Sequence, residues 1–183
     1  MKGLILLANG FEDTEAITTI DILRRAKLSV AVVAVVDDLM VKSQSGLFVK
    51  AETTLKEINE QNYDFLVIPG GRAVREIMDH NKKVLSLIDK FILADKWVAA
   101  ICAAPSLLGR RGYLKNRVFT CFPGCEKDIS EGKYLRKSGV VQSGKIITAK
   151  AMGYTMDFAY KIVECLLNKE ARIKVSNNCN GKL

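Results

Sequence analysis

The sequence predicts a single α/β domain built on a mainly parallel sheet with helices on both faces. Short apolar runs rich in Val, Ile and Leu alternate along the chain with stretches whose apolar residues recur at helical spacing. All three prolines follow such apolar runs closely, which is typical of loops leaving one edge of a parallel sheet. Strands that alternate with helices favour βαβ units, in which helices cover both faces of the sheet.

Six apolar runs are predicted as strands because they are rich in β-branched or other apolar residues and end in turn-forming or polar residues. These runs are residues 3–8, 29–36, 65–68, 97–101, 118–121 and 146–148. Residues 47–51, with residues 40–43, are predicted to form a short hairpin or a pair of edge strands.

Three stretches are predicted as helices, namely residues 14–27, 83–93 and 154–167, and a fourth helix opens after Cys102. In the first of them, Ile17, Ile20 and Arg24 recur at turn spacing. We expect residues 1–175 to form the domain and the polar residues 176–183 to form a flexible tail.

Composition indicates a globular protein that acts in the cytoplasm. Of the 183 residues, 49% are hydrophobic and 26% are charged. The opening apolar run is too short for a signal peptide and precedes no small-residue cleavage site, and no segment has the roughly 20 apolar residues that cross a bilayer. Five irregularly spaced cysteines do not fit the disulfide framework of a secreted domain.

The formal net charge of +8 arises in the second half of the chain, since residues 1–100 are close to neutral. The basic clusters carry no interleaved aromatic residues and no known nucleic-acid motif. We therefore expect a solvated basic face rather than a specific nucleic-acid site.

The segment from Trp97 to Pro105 is the most informative one, because an apolar strand ends there on Cys102 and small residues then open a helix. Free backbone amides and the helix dipole favour a thiolate at such a junction. Strand, nucleophile and helix in this order also form the nucleophile elbow, which projects a reactive atom above the sheet. Cys102 is therefore the predicted nucleophile, with a thiol pKa expected well below about 7.

A cysteine nucleophile needs a proton acceptor, and the single histidine, His80, lies in a polar connection rather than at a strand end. A Cys–His–Asp protease triad is therefore disfavoured. Carboxylates at the start of the first helix are the alternative: Glu12 and Asp13 fit the role of first-turn acids, and Glu15 lies further along. Glu15 is either a surface acid or, if buried, a group with a raised pKa that exchanges a proton with Cys102.

Two glycines complete the predicted site. Gly70 and Gly71 follow the strand at 65–68, and their amides, with that of Ala103, are positioned to form an oxyanion hole. Cys121 and Cys125 lack the further ligands of a closed zinc site, so no metal is expected.

Taken together, these segments resemble the ThiJ/PfpI family, which contains the parkinsonism-associated deglycase. The resemblance rests on residues 7–15, 21–26, 63–71, 100–105 and 120–124. It implies a flavodoxin-like three-layer α/β/α sandwich with a nucleophile elbow, a homodimer, and no metal or organic cofactor. It also assigns catalysis to Cys102 and Glu15, with Gly70, Gly71 and Ala103 as backbone donors.

The resemblance implies an enzyme of the glyoxalase or deglycase type that acts on a small carbonyl substrate such as methylglyoxal. The alternative is a non-enzymatic sensor of oxidative stress, or a redox-regulated chaperone, acting through oxidation of Cys102. Thiazole monophosphate biosynthesis and peptidase activity are the remaining family functions. Ala103 stands where peptidase-like members carry His, and Phe122 stands where several deglycase-like members carry His.

Overall fold

A computed structural model describes residues 1–182 of the chain. Its main sheet has seven strands in the order β10-β11-β7-β6-β1-β2-β5, all parallel except for the edge strand β10. The strands of this sheet are β1 (Lys2–Leu7), β2 (Ser29–Ala34), β5 (Thr53–Thr54), β6 (Phe65–Ile68), β7 (Trp97–Ile101), β10 (Val140–Ser143) and β11 (Ile146–Ala149). The predicted mainly parallel α/β architecture is therefore confirmed.

Two small sheets lie outside the main one. The predicted hairpin forms from β3 (Met40–Lys42) and β4 (Phe48–Lys50), and β8 (Val118–Phe119) pairs in parallel with β9 (Lys133–Tyr134). The strand predicted at 118–121 is present only over the two residues of β8, and it lies outside the main sheet. The chain leaves strand geometry after two residues, where the Thr120 amide donates to Thr148 Oγ1 at 3.0 Å.

Six helices accompany the strands. They are α1 (Asp13–Arg25), α2 (Ala73–Glu76), α3 (Lys82–Leu93), α4 (Pro105–Arg110), α5 (Thr155–Leu166) and α6 (Lys169–Cys179). Five short 3-10 helices occupy Leu55–Glu57, Glu60–Asn62, Met78–His80, Cys125–Asp128 and Met152–Tyr154. The three long predicted helices are present with ends shifted by one or two residues.

The sheet separates two apolar cores. One core combines Leu66 and Ile68 of the sheet with Phe91 of α3, and the other combines Ile5 of the sheet with Phe158 of α5. Because both faces are packed, the carboxyl ends of the central strands are where side chains from several loops meet. This edge holds the loops after β1, β6 and β7.

The last helix, α6, continues through Cys179. The flexible tail over 176–183 stays a prediction, and residue 183 lies outside the described residues. The Asn168 side chain caps α6, Val175 is buried against the core, and the Arg25 guanidinium donates to Asn178 Oδ1 at 3.0 Å. Among the described helices, none has the length and apolar character needed to cross a membrane.

Candidate active site

Cys102 occupies the sharp junction between β7 and α4. Its backbone φ is +65°, a left-handed conformation that is uncommon for a residue with a side chain and marks a strained turn. The Cys102 amide still donates to Ala149 O at 2.9 Å, so the strand pairing holds the residue up to the turn itself. The partly exposed side chain projects from the sheet edge, as the predicted nucleophile elbow requires.

Two backbone amides point at the sulfur of Cys102. Those of Gly71 and Ala103 act as hydrogen-bond donors to it and favour its anionic form. Gly71 has a φ of +92°, and a Cβ at this position would lie 2.4 Å from Gly10 O, so only glycine fits there. The structure thus brings two of the three predicted donors to the predicted nucleophile.

Glu15 lies in the first turn of α1 and is completely buried. The Glu12 side chain caps this helix by accepting from the Glu15 amide at 2.7 Å, which fixes the turn that carries Glu15. The Glu15 Oε2 atom accepts from the Gly70 amide at 2.8 Å, and Oε1 has no hydrogen-bond partner among the described residues. The surface-acid interpretation of Glu15 is therefore excluded.

Gly70 differs from its predicted role, because its amide is taken up by Glu15 rather than left free for an oxyanion. Gly70 is also important because it has no side chain. A Cβ at Gly70 would lie 2.5 Å from Cys102 Cβ and 2.6 Å from Glu15 Oε2, and 3.0 Å from the Cys102 sulfur. Gly70 therefore allows the thiol and the carboxyl to meet.

Burial raises the pKa of the Glu15 carboxyl from 4.5 to about 7. The Gly70 amide and the Cys102 thiol oppose this shift, whereas the negative charge of Glu12 adds to it. Near neutral pH, Glu15 is therefore close to half protonated.

The pKa of the Cys102 thiol is raised, which is opposite in direction to the sequence-based expectation. Burial is the largest cause, and the adjacent Glu15 charge adds to it, while the amides of Gly71 and Ala103 act against both. The amide dipoles favour the thiolate, but burial of the sulfur and repulsion between a thiolate and the Glu15 carboxylate outweigh them. The two groups consequently titrate as a pair, and above about pH 7 this pair holds one proton.

A cleft of about 520 Å³ opens onto the sulfur. Its lining residues are Glu12, Gln44, Gly71, Arg75, Cys102, Ala103, Phe122, Pro123, Gly124 and Cys125. Sequence reasoning missed Gln44, Arg75 and Cys125. Arg75 could have been found from its position, since it follows Gly71 by one helical turn, whereas nothing local in the sequence indicates the approach of Gln44.

The remaining candidates differ in their position relative to the cleft. His80 is exposed in its 3-10 helix and does not line this cleft, in keeping with the case against a Cys–His–Asp triad. Phe122 does line the cleft, is 48% exposed, and donates its amide to Cys102 O at 2.8 Å. Cys165 in α5 is partly buried, and its Sγ contacts Gln142 Oε1 at 3.2 Å.

Comparison with known proteins adds independent information. A family model described as the DJ-1/PfpI family matches residues 1–165. Protein DJ-1 homolog B of Arabidopsis thaliana is 34% identical over 176 residues, which cover 96% of this chain but only 40% of that protein, so the chain spans less than half of it.

Two further matches cover most of this chain and most of the matched protein. A Pyrococcus horikoshii protein named a deglycase is 33% identical over 151 residues, which cover 82% of this chain and 90% of that protein. The structure of Toxoplasma gondii DJ-1 in an oxidized form matches with a TM-score of 0.90 and 30% identity, covering 97% of each chain.

Proposed function

Because the chain belongs to the DJ-1/PfpI family, we propose that it is a cysteine-dependent, cofactor-independent enzyme acting on small reactive carbonyl compounds. The proposed chemistry is that of a glyoxalase or deglycase, with methylglyoxal as the model substrate. The observation that carries the proposal is the contact between Cys102 and the buried Glu15 at the base of an open cleft. The similar Pyrococcus horikoshii protein named a deglycase supports the same class of activity.

The first step starts from the state in which Cys102 and Glu15 together hold one proton. As the Cys102 sulfur adds to the aldehyde carbon, its proton passes to the Glu15 carboxylate and from there to the former carbonyl oxygen, so that a neutral hemithioacetal forms and Glu15 is again a carboxylate. The Gly71 and Ala103 amides, already directed at the sulfur, lie close enough to stabilise negative charge on the former carbonyl oxygen.

Glu15 then relays a proton between adjacent carbons of the substrate. Its carboxylate removes the proton from the carbon attached to sulfur, and its carboxylic acid returns a proton to the neighbouring carbon, which leaves a thioester of a hydroxy acid. Water hydrolyses this thioester and regenerates the thiol. For methylglyoxal the balance is one aldehyde and one water consumed and one lactate formed, with no external oxidant or reductant.

The test is lactate formation from methylglyoxal in the absence of glutathione. We expect wild-type protein to form lactate and the Cys102→Ser variant to form none above background. Cys165→Ser is the matched control, because Cys165 is a partly buried thiol outside the cleft. Absence of lactate with wild type, or undiminished lactate with Cys102→Ser, would overturn the proposal.

A second function is favoured by one specific observation. The sulfur of Cys102 is partly exposed and contacts a buried carboxyl whose pKa of about 7 lets it donate a hydrogen bond to an oxidised sulfur. A structurally similar relative is known in an oxidized form. On this view the chain senses oxidative stress, or is a redox-regulated chaperone, without turnover.

Mass spectrometry separates this alternative from the enzyme. Under mild peroxide, a sensor should gain two oxygens on Cys102 before the other four thiols react, and it should form no lactate from methylglyoxal. Oxidation spread evenly over the thiols would exclude the sensor.

We also propose a homodimer and a cytoplasmic location. Leu47 and Phe48 of the hairpin are 63% and 62% exposed, and the hairpin is tied to α1 where the Ser45 hydroxyl donates to Asp13 Oδ1 at 2.6 Å. Ile17, one turn along α1, is 44% exposed, so the three side chains supply apolar surface for a second copy.

All five cysteines are free thiols, which fits a reducing compartment.

Sedimentation measures the proposed assembly. Phe48→Glu should shift the protein from dimer to monomer, whereas Leu93→Glu, a change at a residue 79% exposed on α3, should leave the dimer intact. A wild-type monomer at micromolar concentration would contradict the proposed dimer.

A further inference from the structure

We propose that the cleft selects carbonyl substrates that carry a second, anionic group, and that Arg75 binds this group. The inference rests on the proposed carbonyl chemistry and adds the substrate class. It assigns to Arg75 a role in specificity, distinct from the bond-making steps at Cys102 and Glu15.

The backbone places Arg75 within reach of the reacting centre. The loop after β6 supplies Gly71, whose amide contacts the Cys102 sulfur, and α2 follows directly with Arg75 four positions later. One helical turn spans roughly 5 Å, and an extended arginine side chain adds about as much again. The side chain of Arg75 accordingly lines the same cleft as the sulfur.

The guanidinium of Arg75 is exposed and has no carboxylate within 4.0 Å in the described part of the chain. Its neighbour Arg72 pairs with Glu76 at 3.8 Å, and Arg110 pairs with both Asp79 and Asp128 at 2.7 Å. The side-chain contact that Arg75 does make is with Cys125 Sγ at 3.5 Å, which engages one of its five donors. Donors that fit a carboxylate fork therefore remain available in the cleft.

The other groups in the cleft determine which way an anionic substrate would lie. Glu12 also lines it, and its charge repels an anion, while one of its oxygens already accepts from the Glu15 amide. Phe122 and Pro123 form an apolar wall that offers no competing charge. A substrate with its aldehyde at the sulfur of Cys102 would therefore direct its anionic end toward Arg75 and away from Glu12.

Two α-ketoaldehydes that undergo the same reaction test this selection. Methylglyoxal ends in a methyl group and gives lactate, whereas dioxovalerate ends in a carboxylate and gives hydroxyglutarate. We expect wild type to have the higher kcat/KM for dioxovalerate. Arg75→Gln should lower the dioxovalerate-to-methylglyoxal ratio of kcat/KM about tenfold, mainly by raising KM, since a charge-assisted hydrogen bond is lost.

Arg72→Gln is the matched control, because it removes an arginine of the same segment that is paired with Glu76 and lies outside the cleft lining. It should leave the substrate ratio unchanged. An unchanged ratio in Arg75→Gln, with methylglyoxal still converted, would overturn the inference while leaving the proposed function intact.

Binding measured without turnover keeps the two proposals separable. Levulinate carries a ketone and a carboxylate but no aldehyde, and calorimetry can follow its binding to the Cys102→Ser protein. We expect it to bind more tightly than its neutral amide, and the added Arg75→Gln change should weaken its binding about tenfold. If neither aldehyde is converted, the proposed function fails, and equal binding of levulinate and its amide would overturn the role of Arg75 as well.

Discussion

Two cysteines near the same edge of the sheet differ in almost every respect that governs reactivity. Cys121 follows β8, is completely buried, and has a pKa raised to about 12 by burial, with the neighbouring Cys125, Glu126 and Asp128 adding to the shift. The pKa of the Cys102 thiol is also raised, but the amides of Gly71 and Ala103 oppose the shift. The Glu15 carboxyl, which can accept the thiol proton, lies in contact with the sulfur. Cys102 is therefore distinguished from Cys121 by its amide donors and its proton acceptor, and not by a lower thiol pKa.

The difference lies in the backbone as much as in the side chains. Cys102 has a φ of +65°, which turns its sulfur toward the amides of Gly71 and Ala103 and out to the cleft. Cys121 does not line the cleft. A reactive cysteine in this fold thus depends on a strained turn, two amides and a partner for its proton, and each component can be removed separately.

The largest expected effect comes from removing the proton acceptor. Glu15→Gln should lower kcat for methylglyoxal by about a thousandfold, because no group is left to relay the proton. In wild type, kcat/KM should rise with pH through about 7, as the pair reaches its one-proton state, and this step should vanish in the variant.

Glu12→Gln is the control that tests the direction of the shift in the pH profile of kcat/KM. The Glu12 charge helps to raise the pKa of Glu15, so its removal should move the step to lower pH without abolishing it. A step that persists in Glu15→Gln would show that another group governs the profile.

The second effect is the pH dependence of stability, which should depend on Glu15 and not on Cys121. The pKa of Glu15 is higher in the folded chain than its ordinary 4.5, so the stabilisation by proton binding is complete below about pH 4.5 and is lost as pH rises through about 7. Relative to Glu15→Gln, wild type should lose up to about 3 kcal/mol of unfolding free energy across this range. Urea denaturation at several pH values measures it, and Cys121→Ser should keep the wild-type slope.

The third effect tests the contact between thiol and carboxyl. Gly70→Ala should lower kcat about a hundredfold, because the new Cβ would lie 2.5 Å from Cys102 Cβ and must push the pair apart. Gly153→Ala is the control, since a Cβ there meets no atom within 4 Å. Full activity in Gly70→Ala would show that the close contact is dispensable.

Much of the site could be predicted because it depends on local order in the sequence. Strand, Cys102 and helix follow one another without interruption, and Gly70 and Gly71 directly follow a buried strand, so all three lie at the same sheet edge once the strands are parallel. Glu15 could be placed near that edge but not as buried, because burial depends on how α1 packs after the Glu12 cap.

The parts that could not be predicted depend on contacts between distant residues. The raised pKa of the Cys102 thiol follows first from its burial and then from the adjacent Glu15 charge, and both depend on tertiary packing that no local sequence pattern reveals. The run at 118–121 has the composition of a buried strand, yet only residues 118 and 119 form one, and it pairs with β9 outside the main sheet. In both cases tertiary contacts override a pattern that is correct locally.

The smallest expected effect concerns the free energy of unfolding, which should depend more on Cys121 than on Cys102. Cys121→Ser should lower the free energy of unfolding by about 1–2 kcal/mol, because it places a hydroxyl in a fully buried apolar position. Cys102→Ser should change it by less than about 0.5 kcal/mol, since the amides of Gly71 and Ala103 and the Glu15 carboxyl can pair with the new hydroxyl. Urea denaturation of both variants measures this difference. Equal losses at the two positions would mean that the polar partners around Cys102 do not compensate for its burial, so the two thiols would differ in exposure alone.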